Sequence, residues 1–337
     1  MKPLVSILIP ACNAAPWIAE TIRSALAQEW PRRELIIVDD GSRDATVAVA
    51  RQFASREVQV VTQENQGAAA ARNKACSLCQ GDYLQWLDAD DLLGPEKIAR
   101  QMDLAERLAD RRALFSCSWA HFYWRPRQAR FVPTPLWEDL SPVEWLRRKM
   151  SRGCHMQTAT WLVSRELTAA AGPWNTSLTF DDDGEYFCRV LLASNGVRFV
   201  PAAKVYYRVS GSGQLSYLDP GNSKLDSLWL SLQLHVQYLR SLEDNEPSRE
   251  DCLKYLQIWS VFFYPDRMDL VGRARALAAQ LGGRLAPPEL PWKYAWLQKL
   301  FGWGAARRIQ MKYNLQKLNF LRASDALLYR WENRPKA

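Results

Sequence analysis

Val5, Ile7 and Ile9 recur with a period of two, which predicts a strand over Leu4–Ile9. A helix is expected from about Pro16 to Gln28. Pro16 suits its first position, and Ile18, Ile22, Ala25 and Leu26 fall on one face. The short apolar runs Glu34–Val38, Val58–Val61 and Tyr83–Leu87 read as further strands. Between them lie helical stretches at Asp44–Ser55 and Gly67–Leu78, and Gly94-Pro95 opens a charged helix to about Arg111. This β-α alternation predicts an α/β fold with a mostly parallel central sheet and helices on both faces.

The texture changes from Leu114. Strand candidates Leu114–Ser118, His121–Trp124, Thr158–Val163 and Arg198–Val200 are mixed with helices near Pro142–Met150 and Asp183–Ser194, and Tyr206-Tyr207-Arg208 closes this half. Beyond Gly213 strand signals fade. Residues 222–242 and 249–264 read as helices, and a Gly- and Pro-containing loop, Gly282–Pro291, precedes a basic, Trp-bearing helical tail. The expected organisation is a domain over residues 1–217, with halves 1–113 and 114–217, followed by a mostly helical extension over 218–337.

Charge narrows the partners. Lys plus Arg number 44 against 36 Asp plus Glu, for a net charge of +8. An anionic partner is favoured: a nucleotide diphosphate, an anionic membrane surface or a nucleic acid. Nucleic-acid binding rests on net charge alone and is not expected. The seven Cys, an odd number without small-scaffold spacing, suit a reducing compartment. Cys76 and Cys79 form a C-x-x-C in an Ala-rich helix with no second pair, so packing is the expected role. The apolar start mimics a lipoprotein signal but is short and alternates like a strand. No apolar stretch reaches the 18 or so residues of a membrane span. The expected location is the cytoplasm, peripheral on the inner face of the cell membrane if the tail binds lipid.

The chemistry concentrates in acids. Asp88-Ala89-Asp90-Asp91 follows the apolar run Tyr83–Leu87. Several carboxylates at the end of a buried strand repel one another and lose hydration, and a divalent cation with oxygen ligands relieves both costs. Asp39-Asp40 follows Glu34–Val38 in the same way and leads into Gly41-Ser42. Two strands ending in acids mark a ligand crevice at the carboxyl edge of a sheet, suited to a nucleotide and a metal held together.

Four motifs in register resemble the family 2 glycosyltransferases of GT-A fold: Val5-Ser6-Ile7-Leu8-Ile9-Pro10, Val38-Asp39-Asp40-Gly41-Ser42, Asn65-Gln66-Gly67 with Ala71-Arg72-Asn73, and Leu87-Asp88-Ala89-Asp90-Asp91. The resemblance covers residues 4–97 well and continues to about residue 217. It implies an inverting transferase moving a sugar from a nucleoside-diphosphate sugar, most readily a UDP-sugar, to a glycan, lipid-linked or protein acceptor. Asp88 and Asp90 would be the two acids of the D-x-D pattern. Mn²⁺ or Mg²⁺ on Asp90 or Asp91 would bridge the two phosphates and stabilise the leaving diphosphate. Asp40 would accept a hydrogen bond from a nucleobase N–H, with Asp39 supporting the loop. Pro10 and Cys12 lie where the family's first loop covers the base; Cys12 replaces a common aromatic residue. Arg72 matches the arginine lining the nucleotide site.

Phe180-Asp181-Asp182-Asp183-Gly184-Glu185-Tyr186-Phe187-Cys188-Arg189 resembles the family segment E-D-x-[DE]-[FL]-x-x-R, which points to Asp183 as general base. Asp182 stands beside it as support, and Arg189 could pair with one of these acids. No His follows Tyr207-Arg208, where the family often has one, and the Gly- and Ser-rich residues 210–216 read equally as a flap over the donor or as a plain surface loop. Trp119, Trp124, Trp137, Trp145 and Trp161 offer faces for stacking sugars, with one or two expected at the acceptor and the rest in packing. His155 and Gln157 are further acceptor-side candidates. In the tail, Trp292, Trp296, Leu300 and Trp303 with Lys293, Lys299, Arg307 and Arg308 suit either an interfacial helix on an anionic membrane or a helix packed on the domain. Two rivals are a sugar-1-phosphate nucleotidyltransferase, which would prefer a Gly-rich basic loop where Ala11–Ala15 stands, and a non-catalytic glycan-binding protein that retains the fold.

Overall fold

A computed structural model of the chain describes residues 2–210 and 222–333. The chain begins with β1 (Val5–Ala11), α1 (Ile18–Leu26), β2 (Arg33–Asp40), α2 (Thr46–Arg51), β3 (Val58–Gln63), α3 (Ala68–Leu78) and β4 (Tyr83–Trp86). β1 is buried along its whole length, and α1 buries Ile18, Ile22 and Ala25, the face its periodicity selects. β1, β2, β3 and β4 pair in parallel, with Ala11 opposite Asp39, Asp40 opposite Gln63 and Leu8 opposite Trp86. The parallel register has a functional consequence. It brings Cys12, Asp39-Asp40 and Asp88 to one edge of the sheet.

The sheet continues through β5 (Leu92–Leu93), α4 (Lys97–Leu108), β6 (Ala113–Phe122), α5 (Pro142–Arg152), β7 (Leu162–Ser164), α6 (Arg165–Ala171), α7 (Asp182–Ala193) and β8 (Gly196–Arg208). Its eight strands run in the order β3-β2-β1-β4-β7-β6-β8-β5. β7 is antiparallel to both β4 and β6, β6 is parallel to β8, and β5 is antiparallel to β8. The candidates Leu114–Ser118 and His121–Trp124 form one strand, β6, with a register shift between Cys117 and Ser118. The expected strand Thr158–Val163 begins instead as a 3-10 turn over Thr158–Thr160. There the Gln157 side chain accepts the Ala159 N–H (2.6 Å), and the Thr160 hydroxyl donates to the Gln157 carbonyl (2.6 Å). Such local bonds hold β-branched residues in a turn. The two-residue β5 was not legible in the sequence; it lays Leu92 beside Tyr206 and so sets Asp91 against Arg208.

The remaining helices are α8 (Asn222–Leu242), α9 (Glu246–Ser260), α10 (Met268–Gln280) and α11 (Ala295–Glu332). One hydrophobic cluster runs from Val5 to Leu281, so α8–α10 share the core of the sheet. α9 starts at Glu246, three residues before the expected helix over 249–264, because the Asn245 side chain caps it through the Ser248 N–H (3.0 Å). α11 bends at Gly302, whose φ of 75° lies in the left-handed region that favours glycine. Among the described residues, no helix is long and apolar enough to cross a membrane.

Candidate active site

The Asp39-Asp40 loop is held by its own acids. Asp40, at the end of β2, accepts the backbone N–H groups of Gln66 (2.9 Å) and Gly67 (2.8 Å) and the Gln63 side chain (2.8 Å). Loop support, expected of Asp39, thus falls largely to Asp40, whose bonds fix the turn that starts α3. Asp39 accepts the Ser42 N–H at 3.0 Å through one oxygen, while its other oxygen is buried among the described residues without a partner. Gly41, at φ +70°, packs so closely that a Cβ there would lie 2.8 Å from the Asn65 nitrogen. Cys12 is exposed beside these acids, and the Asn65 amide lies 3.5 Å from its sulfur. Partial burial, then Asp40 and Asp39, raise its thiol pKa. Pro10 is buried in β1 just before it.

The four-residue acidic run after β4 divides by side-chain environment. Asp88 is half-buried and pairs with Arg72 at 2.8 Å. Asp90 is also half-buried; it accepts the Ser210 hydroxyl at 2.8 Å, and its carbonyl accepts Arg208 Nε at 2.7 Å. Asp91 is wholly buried. Its carboxylate accepts the Arg208 backbone N–H (2.8 Å) and the Gln157 amide. Burial, reinforced by Asp90 and Asp88, pushes its pKa well above the usual carboxylate range. Both Asp91 oxygens face protein donors, so the position serves the joint between β5, β8 and the 3-10 turn. Among the described residues, no three His, Cys, Asp or Glu side chains converge as a ready-made metal cage.

Arg72 joins the two acidic segments. It lies on α3, is almost fully buried, and donates to Asp88 (2.8 Å) and Asp182 (2.6 Å) at once. Its guanidinium stacks 4.5 Å above the Trp174 ring, and Trp174 stacks in turn on Tyr186 at 4.1 Å. The neighbouring Asn73 exchanges two bonds with the Trp174 backbone, 2.9 and 2.8 Å. The Ala71-Arg72-Asn73 motif therefore acts as a unit: Asn73 fixes Trp174, and Trp174 fixes Arg72. Sequence reading missed Trp174, which carries no periodicity signal.

Asp182 and Asp183 occupy the first turn of α7, where the helix dipole favours negative charge. Burial pushes the Asp182 pKa up to about 6; Arg72 opposes this, and Asp183 and Asp88 add to it. Asp183 is half-buried and accepts the Thr158 hydroxyl at 3.0 Å. Asp181 faces the other way, onto Ser231 of α8. Arg189 pairs with neither Asp182 nor Asp183. It grips Glu185, one turn back, at 2.7 and 2.9 Å, and donates to the carbonyls of Ala171 and Pro173. Its spacing from Glu185 is the ordinary i,i+4 helix pair, and this corrects its expected place among the reacting acids.

On the acceptor side the aromatic candidates separate. Trp161 is 1% exposed and stacks on Phe187 at 5.2 Å, so it is core and has no face for a sugar. Trp145 is buried against it. His155 is exposed, with its ring 5.1 Å from Trp119. Both line a cavity of about 630 Å³ whose walls also include Phe122, Arg125, Arg130 and Asp325. Trp119 is buried, with its indole N–H unpartnered among the described residues. Arg208 was also missed as a site residue. It is fully buried, pairs with Glu20 at 2.6 Å, and lies between the Trp17 and Phe122 rings. The flap or surface loop expected over residues 210–216 falls, after Ser210, outside the described residues.

The tail packs on the domain toward its end. Asp325 of α11 pairs with Arg125 at 2.7 Å and accepts the Trp124 N–H at 2.9 Å, and Glu332 pairs with Arg125 at 2.8 Å. Arg322 donates to the Ser210 carbonyl, one residue that also touches Asp90. Trp303 is half-buried and donates to the Pro288 carbonyl at 2.8 Å.

Both the fold and the sequence have known counterparts. The fold is that of residues 1–349 of S. aureus TarS, solved in complex with UDP-GlcNAc, which superposes with a TM-score of 0.66 at 16% identity over 82% of this chain and 81% of that one. This is the GT-A architecture expected from the motifs. An uncharacterized glycosyltransferase of Rickettsia typhi is 31% identical over 202 residues, 58% of this chain and 60% of its own. TuaG of Bacillus subtilis, whose name assigns it to teichuronic acid biosynthesis, is 42% identical over 105 residues, 30% of this chain and 42% of its own. The chain thus spans less than two thirds of either relative. Both relatives carry the name glycosyltransferase. Residues 6–167 match the family model described as glycosyl transferase family 2.

Proposed function

We propose that the protein transfers a sugar, with inversion, from a UDP-sugar to a hydroxyl of a cell-envelope glycan or lipid-linked saccharide, working at the inner face of the membrane. The observation that carries this reading is Arg72, which ties Asp88 of the donor edge to Asp182, next to Asp183, in one site. The UDP-GlcNAc bound to TarS and the teichuronic acid assignment of TuaG support the donor and the acceptor class.

In this reading the unpartnered oxygen of Asp39 accepts the N–H of the base, Asp40 holds the loop through Gln63, Gln66 and Gly67, and Cys12 and Pro10 lie beside it. Asp90 and Asp88 would hold Mn²⁺ or Mg²⁺. Such ions keep waters and take phosphate oxygens, so two protein carboxylates make a fitting donor set. The cation supplies Lewis-acid stabilisation of the departing diphosphate. Asp91, with both oxygens on protein donors, holds the loop behind them. Asp183 takes the proton of the acceptor hydroxyl. That oxygen attacks the anomeric carbon from the side opposite the diphosphate, the bond from carbon to phosphate oxygen breaks, and UDP leaves. Thr158 orients the Asp183 carboxylate through its hydroxyl.

The test is UDP release from a panel of UDP-sugars, with and without EDTA. Release that EDTA abolishes is expected. No release from any UDP-sugar while another nucleotide sugar is turned over removes the donor assignment, and full release in EDTA removes the metal.

A further inference from the structure

The last helix, α11, has apolar residues on two opposite sides. Beyond the bend at Gly302, its inner side carries Arg322, Asp325 and Tyr329, which meet Ser210, Arg125 and Trp124. Ile309, Tyr313, Phe320, Leu327 and Trp331 fall at spacings of 4, 7, 7 and 4 residues. At about 100° per residue these positions lie within roughly 40° of one another, on the side opposite Arg322, Asp325 and Tyr329. They are 42–72% exposed, and nothing among the described residues covers them. Before the bend, Trp292, Trp296, Leu300 and Phe301 are exposed as well, Trp292 by 89%.

Charge decides what fits this stripe. Residues 292–333 contain eight Lys and Arg and two acids, Asp325 and Glu332. Both acids are already paired with Arg125 of the domain. Lys312, Lys317 and Arg330 are exposed along the stripe, with Lys293, Lys299 and Arg308 nearer the bend. Two copies meeting stripe to stripe would bring these like charges together. An anionic surface with an apolar interior satisfies both features, because the aromatic and aliphatic side chains enter the acyl boundary while the basic ones meet headgroups.

We infer that the outer side of α11 docks the protein on an anionic phospholipid bilayer. The docking side begins at the expected Trp292–Gln310 segment but runs on to Trp331, and its later part does not overlap the inner contacts. The helix that would lie on lipid also forms a wall of the cavity through Asp325 and reaches Ser210, the partner of Asp90. A saccharide carried on lipid would meet the site from that side; this consequence rests on the transferase reading, whereas the docking itself does not.

The experiment is co-sedimentation of the full chain with vesicles of phosphatidylcholine alone and of phosphatidylcholine mixed with phosphatidylglycerol, at low and high salt, alongside UDP release and solution mass. Binding only to the phosphatidylglycerol vesicles, weakened by salt, is expected. The triple change Lys312→Glu, Lys317→Glu, Arg330→Glu should lower it on the order of a hundredfold or more, at about one factor of five per basic residue removed. Phe320→Ser with Leu327→Ser should also release the protein from vesicles without lowering UDP release, since both residues are exposed and outside the site. Indifference to anionic vesicles at low salt, or undiminished binding by both variants, overturns the proposal. So does a stripe variant that turns a dimer into a monomer while the wild type ignores lipid. Vesicle binding by a chain that turns over no nucleotide sugar leaves the docking standing and removes the transferase reading instead.

Discussion

The two acidic runs, Asp88–Asp91 and Asp181–Glu185, look alike in sequence and differ in how their members are held. In the first, Asp91 is fully buried on Arg208 and Gln157, while Asp88 and Asp90 face the crevice edge. In the second, Asp181 turns to Ser231 and Glu185 to Arg189 and Tyr238, while Asp182 and Asp183 remain at the helix start. Each run thus contains acids that knit elements together, Asp91 in the first and Asp181 and Glu185 in the second, beside acids that are half-exposed. Arg72 contacts both runs, through Asp88 and Asp182. A carboxylate whose oxygens are met by protein donors in a buried joint is a structural part; one half-exposed at a strand or helix end is available to substrate.

The sharpest way to break this comparison is to exchange neighbours in the first run. Asp90→Ala should lower transfer on the order of 10²-fold or more, as loss of a metal-binding carboxylate does, and leave the melting temperature near wild type. Asp91→Ala should cost about 2–3 kcal/mol of stability, because it strips the acceptor from two buried donors. Thermal melts and UDP release on both variants decide the matter; a destabilised Asp90→Ala beside an unperturbed Asp91→Ala would invert the division. Next in size is the bridge. Arg72→Lys keeps the charge but cannot donate to two carboxylates and stack on Trp174 together, so kcat/KM should fall roughly tenfold. Wild-type kinetics in this variant would mean that the runs act independently.

A smaller effect is expected from Arg322→Ala, which removes the hold of α11 on Ser210 and through it on Asp90. A few-fold drop in kcat with unchanged donor KM is predicted; no change would confine α11 to docking. A separate effect concerns pH. The folded-state pKa of Asp182, about 6, is raised above that of the unfolded chain, about 3.9. The folded state therefore binds this proton more tightly, and the associated stability is present below the unfolded value and lost as pH rises through the window up to about 6. Melting temperatures of wild type relative to Asp182→Asn should fall across that window; a constant difference would contradict the assignment.

Much of the donor half was legible because local pattern and tertiary role coincide there. Strand β2 is an apolar run that ends in Asp39-Asp40, and the parallel register sets Asp39 opposite Ala11, next to Cys12. What escaped was set by distant partners. Asp90 and Asp91 are indistinguishable until Gln157 and Arg208 arrive from 66 and 117 residues away. Trp161 offers the same ring to a sugar or to Phe187, and only packing chooses. Arg189 took Glu185 because the helix places that acid one turn away, while Asp182 was already claimed by Arg72. In the tail, apolar residues on two opposite sides of one helix blur the periodicity, so the packed and exposed sides separate only in three dimensions.

The central claim is that Asp183 is left for chemistry and not for holding the donor. The measurement that tests it most directly is donor affinity together with turnover of bound donor in Asp183→Asn, which keeps the shape but removes the proton acceptor. The account predicts a UDP-sugar Kd within about twofold of wild type and turnover lower by on the order of 10²-fold or more. A variant that loses donor affinity by about tenfold while still turning over the donor it binds would contradict it.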